Sequence, residues 1–174
     1  MKRRTTKPSR MALMRAPRSI KPASASIVPL HLKQILVPVD FSTFSGRALR
    51  HALPLAQRFG AGIVLLHVIE LFPIDYMVGT SSDSITGVEG RRRAKEDLAK
   101  LGAKILESSG VHYRSVVRAG KPYREIVKAA RELDADLIVL STHGRTGLDR
   151  FYLGSTAERV VRHAACPVLV VRKR

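Results

Sequence analysis

The sequence predicts an α/β protein, a parallel sheet with helices on both faces. Three observations predict it. Short, nearly continuous apolar runs recur at 35–39, 63–69, 137–140 and 168–171, the pattern of strands buried on both sides. Between them lie segments whose apolar residues repeat at helical spacing. Gly and Pro punctuate the units, and such alternation builds right-handed crossovers between parallel strands.

Taken in order, Ile35 to Asp40 reads as a first strand ending in an acid. Ser42 to Phe59 follows as a helix with Phe44, Ala48, Ala52, Leu55 and Ala56 inward. Pro54 lies inside it and is expected to kink or break it, because proline removes the hydrogen bond to Arg50. Gly60-Ala61-Gly62 stops the helix, and Ile63 to Ile69 forms the second strand. Residues 71–90, rich in Gly, Ser and Thr, read as a long loop of the kind that carries function or disorder. A second helix then presents Ala94, Leu98, Leu101 and Ile105, begins with Arg91-Arg92-Arg93 and ends before Gly110. Cations at a helix start oppose the macrodipole, so the triplet reads as either an anion contact or a solvated face.

Val111 to Val117 is the third strand. Pro122 suits the first turn of the next helix, which turns Ile126, Ala130 and Leu133 inward. Ala135 to Ser141 is the fourth strand. After a glycine-rich segment, Ser155 to Ala164 forms the last helix, with Ser155 and Glu158 spaced as a capping box. Cys166-Pro167 ends it, and Val168 to Val171 is the fifth strand.

The chain has 174 residues, 45% hydrophobic and 26% charged, a globular composition of one-domain length. A single cysteine, Cys166, excludes an internal disulfide framework. No apolar window is long enough to span a membrane, and a cytoplasmic protein is expected. The formal net charge of +17 suggests a polyanionic partner. That charge is uneven. Residues 1–33 hold nine Lys or Arg and no acid, whereas residues 34–174 carry a net +8. The expected division is therefore a basic, Pro-containing disordered tail over 1–32 and a folded domain over 33–174. The tail also fits an anion-binding arm or a transit peptide, and Met11 and Met14 leave an internal translation start open.

An open parallel sheet binds ligands beyond the carboxyl ends of its strands. Two segments stand out there: Asp40-Phe41-Ser42, and Ser141 to Gly147 continuing to Gly154-Ser155. Glycines let backbone N–H groups approach an anion, and a helix N-terminus favours phosphate. Asp40 repels phosphate and suits ribose hydroxyls, a base edge or a metal; it could equally cap the following helix. Ser155 could cap or contact phosphate. The segment is neither a P-loop nor a dinucleotide fingerprint. His143 and His67 read as structural, since no partner order supports catalysis, and Cys166 reads as a small hydrophobe.

Taken together, Ile-Leu-Val-Pro-Val-Asp-Phe-Ser at 35–42, Leu-Leu-His-Val at 65–68, Ser-Thr-His-Gly-Arg-Thr-Gly at 141–147, Leu-Gly-Ser-Thr-Ala-Glu-Arg-Val-Val at 153–161 and Cys-Pro-Val-Leu-Val-Val at 166–171 closely resemble the universal stress protein family, over residues 33–173. The resemblance implies a five-stranded parallel sheet of order 3-2-1-4-5 and a homodimer through the last strand. The ATP-binding branch carries Gly-x2-Gly-x9-Gly-Ser/Thr. Gly144 and Gly154-Ser155 match it, while Ser141 replaces its first glycine.

By that resemblance, Pro38, Val39 and Asp40 hold adenosine and Val68 and Leu140 wall the adenine. Ser141, Gly144, Gly154, Ser155 and Thr156 line the phosphates of ATP, with Mg²⁺ or Mn²⁺ carried on the phosphates. Arg145 adds a cation where a γ-phosphate could end. The expected function is a nucleotide-dependent switch or sensor in the stress response. No residue is an evident general base, so any ATP hydrolysis should be slow. Two alternatives remain: action by protein association without nucleotide, and nucleic-acid binding through the basic tail.

Overall fold

The computed structural model describes residues 30–71, 87–142 and 154–172. The elements are β1 (Gln34–Pro38), α1 (Thr43–Phe59), β2 (Gly62–Glu70), α2 (Val88–Leu106) with a 3-10 turn (Glu107–Ser109), β3 (Tyr113–Gly120), α3 (Pro122–Glu132), β4 (Leu137–Ser141), α4 (Ser155–His163) and β5 (Val168–Val171). The strands form one sheet in the order β3-β2-β1-β4-β5, and every pairing is parallel. The expected fold class and strand order are both observed.

Alternation along the central strands divides the core in two. Ile35 and Val37 of β1, with Ile63 and Leu65 of β2, face α1 and α2, where they meet Ala48, Leu49, Ala52, Leu98 and Leu106. Leu36, Val64 and Leu66 point the other way, onto Ile126, Ala129, Ala130, Ala157 and Val160 of α3 and α4. A strand buried on both faces needs apolar residues at every position, which is why β1 and β2 read as continuous runs. Each fully buried Leu or Ile contributes about 1.5–3 kcal/mol relative to exposure.

Several local expectations are corrected. Helix α1 runs unbroken through Pro54. Pro54 and Arg50 are both exposed, so the Arg50 carbonyl that loses its partner lies on the solvent side of the helix, where water can replace the missing N–H. The segment expected as loop to residue 90 ends sooner: Gly87 is the N-cap of α2 and Val88 to Gly90 are helical. The arginine triplet therefore lies one turn inside the helix. Glu89 precedes it and binds Arg92 at 2.7 and 2.8 Å and Arg93 at 2.8 Å, so two of its three cations are neutralised along their own helix. Hydrogen bonds from Arg92 and Arg93 pull the Glu89 carboxyl down to about 2.

Strand β3 begins two residues later than expected and extends to Gly120 opposite Glu70. It is an edge strand whose first residues are exposed, so Arg114, Ser115 and Arg118 interrupt the apolar pattern that marks the inner strands. At the amino end of the sheet, Asp136 Oδ2 accepts from the backbone N–H groups of Lys33 and Gln34 at 2.7 and 2.9 Å. This contact ties the entry of β4 to that of β1. Leu32 is 4% exposed and belongs to the core, so core packing extends to the last residue assigned to the tail. Among the described residues, no helix is long and apolar enough to cross a membrane.

Candidate functional site

The chain leaves β1 toward β2 on one side of the sheet and later returns to place β4 on the other. The crevice between β1 and β4 is thus the topological switch point. The register Ile35↔Leu137 and Leu36↔Ile138, carried forward, sets Asp40 level with Thr142. Pro38, Val39 and Asp40 therefore lie at the same end of the sheet as Ser141 and the start of α4.

The turn after β1 is held tightly. Val39 is buried and its N–H donates to Leu66 O at 2.7 Å. Phe41 follows with φ 62°, a left-handed conformation that costs a bulky residue about 1–3 kcal/mol. Two contacts from β2 hold it there: the Phe41 ring lies 4.5 Å from that of His67, and His67 Nδ1 bonds Val39 O at 2.7 Å. His67 is a brace for this turn, in line with its structural reading.

Asp40 Oδ1 accepts from the Ser42 N–H at 3.0 Å and the Ser42 hydroxyl at 2.6 Å. Ser42 is the N-cap of α1, accepting from the Ser45 N–H at 3.2 Å. Asp40 thus orients the cap without being the cap. Burial raises its pKa, but hydrogen bonds involving Ser42 and Ser45 outweigh burial and leave it below the usual carboxylate value. A half-buried carboxylate stays charged at the mouth of the crevice.

Across the crevice, Ser141 is half-buried and aligned with Val171. The Thr142 N–H donates to Val171 O at 3.0 Å, and Thr142 O accepts from the Gly154 N–H at 2.8 Å. Gly154, not Ser155, is the N-cap of α4, and no side chain caps the helix. The expected capping box is absent: Ser155 is the first helical residue and Glu158 pairs with Arg162 at 2.8 Å. A Cβ on Gly154 would meet Thr142 O at 2.8 Å, so glycine is required by the chain's own backbone. Ser155 is exposed and Thr156 half-buried in the first turn. Leu140 is 5% exposed, and Val68 packs with it against the core under α3 and α4. Gly144, Arg145 and His143 lie outside the described residues, as do residues 72–86. Burial pushes the Cys166 thiol up, opposite to an activated nucleophile.

The universal stress protein family model matches residues 31–172. The chain belongs to the universal stress protein family. It is 38% identical over 141 residues to the universal stress protein MJ0531 of Methanocaldococcus jannaschii, covering 81% of this chain and 82% of that one. The solved structure of MJ0577, from the same organism, superposes with a TM-score of 0.71 at 30% identity, over 82% and 97% of the two chains. A universal stress protein of Archaeoglobus fulgidus in complex with dAMP shares the fold at a TM-score of 0.58 and 24% identity, over 82% and 98%.

Sequence reasoning missed the His67–Phe41 brace and the Thr142–Gly154 contact. The histidine was visible in the strand, but nothing in the sequence marks a positive φ at phenylalanine. Gly154 was found for its value to a phosphate, whereas the geometry adds a closer reason.

Proposed function

We propose that this universal stress protein binds an adenine nucleotide in the β1–β4 crevice and acts as a nucleotide-dependent switch or sensor. The observation that carries the reading is the placement, at one switch point, of a charged Asp40 and the N-terminus of α4, which no side chain caps. The carboxylate suits ribose hydroxyls or a base edge, and the first-turn N–H groups with the Ser155 and Thr156 hydroxyls suit phosphate. Val68, half-buried at the end of β2, offers apolar surface to an adenine. The dAMP-bound neighbour lends support through the fold; the ligand class rests on this crevice.

ATP is the proposed ligand, with Gly144 assigned to its phosphates by its place in the glycine motif and Arg145 added as a cation where a γ-phosphate could end. Mg²⁺ or Mn²⁺ would supply charge neutralisation between phosphates. The ion would ride on the phosphate oxygens rather than in a protein cage, with the charged Asp40 carboxylate at the crevice mouth a hard oxygen that suits it. This chain's residues bind and orient; none is assigned to activate water, so turnover is slow. The folded domain, residues 33–174, pairs with a second copy through β5, an edge strand that exposes Leu169. Calorimetric titration tests the reading: Mg-ATP binds with micromolar affinity, and Mg-GTP binds at least tenfold more weakly. Equal affinities would remove the adenine wall from the account.

A further inference from the structure

Helices α3 and α4 leave a groove on their outer side that shares no residue with the crevice. It is a cavity of about 510 Å³ lined by Tyr123, Arg124, Val127, Lys128, Arg131, Glu132 and His163. Arg124, Lys128 and Arg131 follow one another at steps of four and three, which places them along one helical face, and all three are exposed.

Glu132, on the groove wall, binds Arg118 at 2.6 Å and stands 3.8 Å from the groove's own Lys128; Glu125 lies 3.8 Å from Arg118, and Glu158 binds Arg162 at 2.8 Å. Among the described residues, no carboxylate lies within ion-pair distance of Arg124, Arg131 or Arg159. Tyr123 sits among the cations. The Arg159 guanidinium lies 5.0 Å from its ring centroid and that of Arg124 5.8 Å, and the His163 ring is 6.1 Å away. The Arg124 Nε–H donates to its hydroxyl at 3.0 Å. That hydrogen bond, with the positive field of Arg124, Arg159 and Lys121, holds the Tyr123 hydroxyl below its ordinary pKa.

We propose that the α3–α4 groove binds single-stranded nucleic acid, with Arg124, Lys128, Arg131 and Arg159 on successive phosphates and a base against Tyr123 and His163. A row of cations with three guanidiniums fits a repeating phosphodiester, since arginine pairs with phosphate through two parallel N–H groups. A half-buried tyrosine within a concave groove is reachable by an unstacked base and not by one held in a duplex. Charge complementarity agrees, because residues 34–174, apart from the basic N-terminal segment, carry a net +8.

The test is anisotropy of a labelled 15-nucleotide single strand with the full chain, across a salt series. Arg124→Gln, Lys128→Gln and Arg131→Gln together should lower the salt slope by about 2, at roughly 0.7 per lost phosphate contact. Arg159→Gln, on the second helix, should lower it further. Tyr123→Leu should weaken binding at least threefold with the slope unchanged. Arg47→Gln, Arg50→Gln and Arg58→Gln on the exposed side of α1 make the same charge change on the opposite face and should leave the slope within half a unit of the parent's.

Equal losses from the two triple variants would mean diffuse attraction and overturn the proposal. So would no loss from the groove triple, which would assign binding to the basic N-terminal segment. Displacement of the strand by an equally charged glutamate-rich peptide or a duplex, at equal concentration, would assign the groove another partner. Competition by millimolar AMP would place the strand in the crevice.

Discussion

The carbonyl oxygen of Thr142 accepts a hydrogen bond from the Gly154 N–H at 2.8 Å and stands 2.8 Å from where a Cβ on Gly154 would be. The end of β4 and the start of α4 are thereby joined backbone to backbone. A methyl group there has no flexible side chain to displace; it must move a carbonyl.

Gly154→Ala is therefore expected to destabilise the protein by about 1–3 kcal/mol, the usual range for overpacking. The loss should appear in urea denaturation with or without nucleotide. A stable Gly154→Ala protein that had lost only nucleotide affinity would show that the glycine serves the ligand alone.

Asp40 gives a pH prediction with a definite sign. Its folded pKa lies below the reference value of 3.8, so its contribution to stability is complete above that value. It fades as pH falls toward and through the lowered folded pKa. Asp40→Asn keeps an oxygen for Ser42 but cannot titrate. Its thermal midpoint should fall less steeply than the parent's between pH 4 and pH 2, while its affinity for adenine nucleotide at neutral pH drops about tenfold, the scale of one hydrogen bond to a charged group. A parent and variant with the same acid profile would show that Asp40 is not stabilised as the anion.

Most of the fold was legible because its inner strands are buried on both faces. Ile35, Leu36 and Val37 leave no room for another reading, and the glycine caps mark the ends of units. What escaped notice lies where that rule relaxes. Strand β3 is at an edge, and Arg114, Ser115 and Arg118 interrupt its apolar pattern, so its span was misplaced. The start of α2 was hidden because Gly87 and Gly90 look like loop, whereas the Glu89–Arg92 and Glu89–Arg93 contacts that steady this turn depend on helical spacing. Of the crevice, Pro38 to Asp40 were legible as the end of a strand and Gly154 to Thr156 as the start of a helix. Their mutual register was supplied by pairing between β1 and β4, which no local pattern encodes. The capping box failed because the close approach to Thr142 O suits glycine at the cap and moves Ser155 one position into the helix.

Pro54 offers an independent check on α1. Alanine would restore an N–H to the Arg50 carbonyl within a helix that already runs through this position. Pro54→Ala should stabilise the protein by about 1–3 kcal/mol, given proline's penalty of about 3 kcal/mol in helix interiors. A destabilised variant would mean that the proline's restriction of the unfolded chain outweighs the missing bond.

The proposed pairing through β5 is tested at Leu169, a leucine 38% exposed on the edge strand. A charge there is a common device for blocking edge-to-edge association. Leu169→Lys should convert a dimer into monomers in sedimentation analysis, with little change in the monomer's far-ultraviolet spectrum. A dimer that survives the substitution would place the interface elsewhere.

Adenine-nucleotide binding at the α4 terminus is tested most directly by thermal unfolding with Mg-ATP, comparing the parent chain with Ser155→Glu. A glutamate in the first turn favours the helix itself but puts a negative charge where phosphate would sit. Ligand at 100 times Kd should stabilise the parent by about 2.7 kcal/mol, a rise of about 5–10 °C for a domain of this size. Ser155→Glu alone should unfold no lower than the parent and gain nothing from the nucleotide. No shift of the parent at millimolar Mg-ATP, or an equal shift in both proteins, would contradict it.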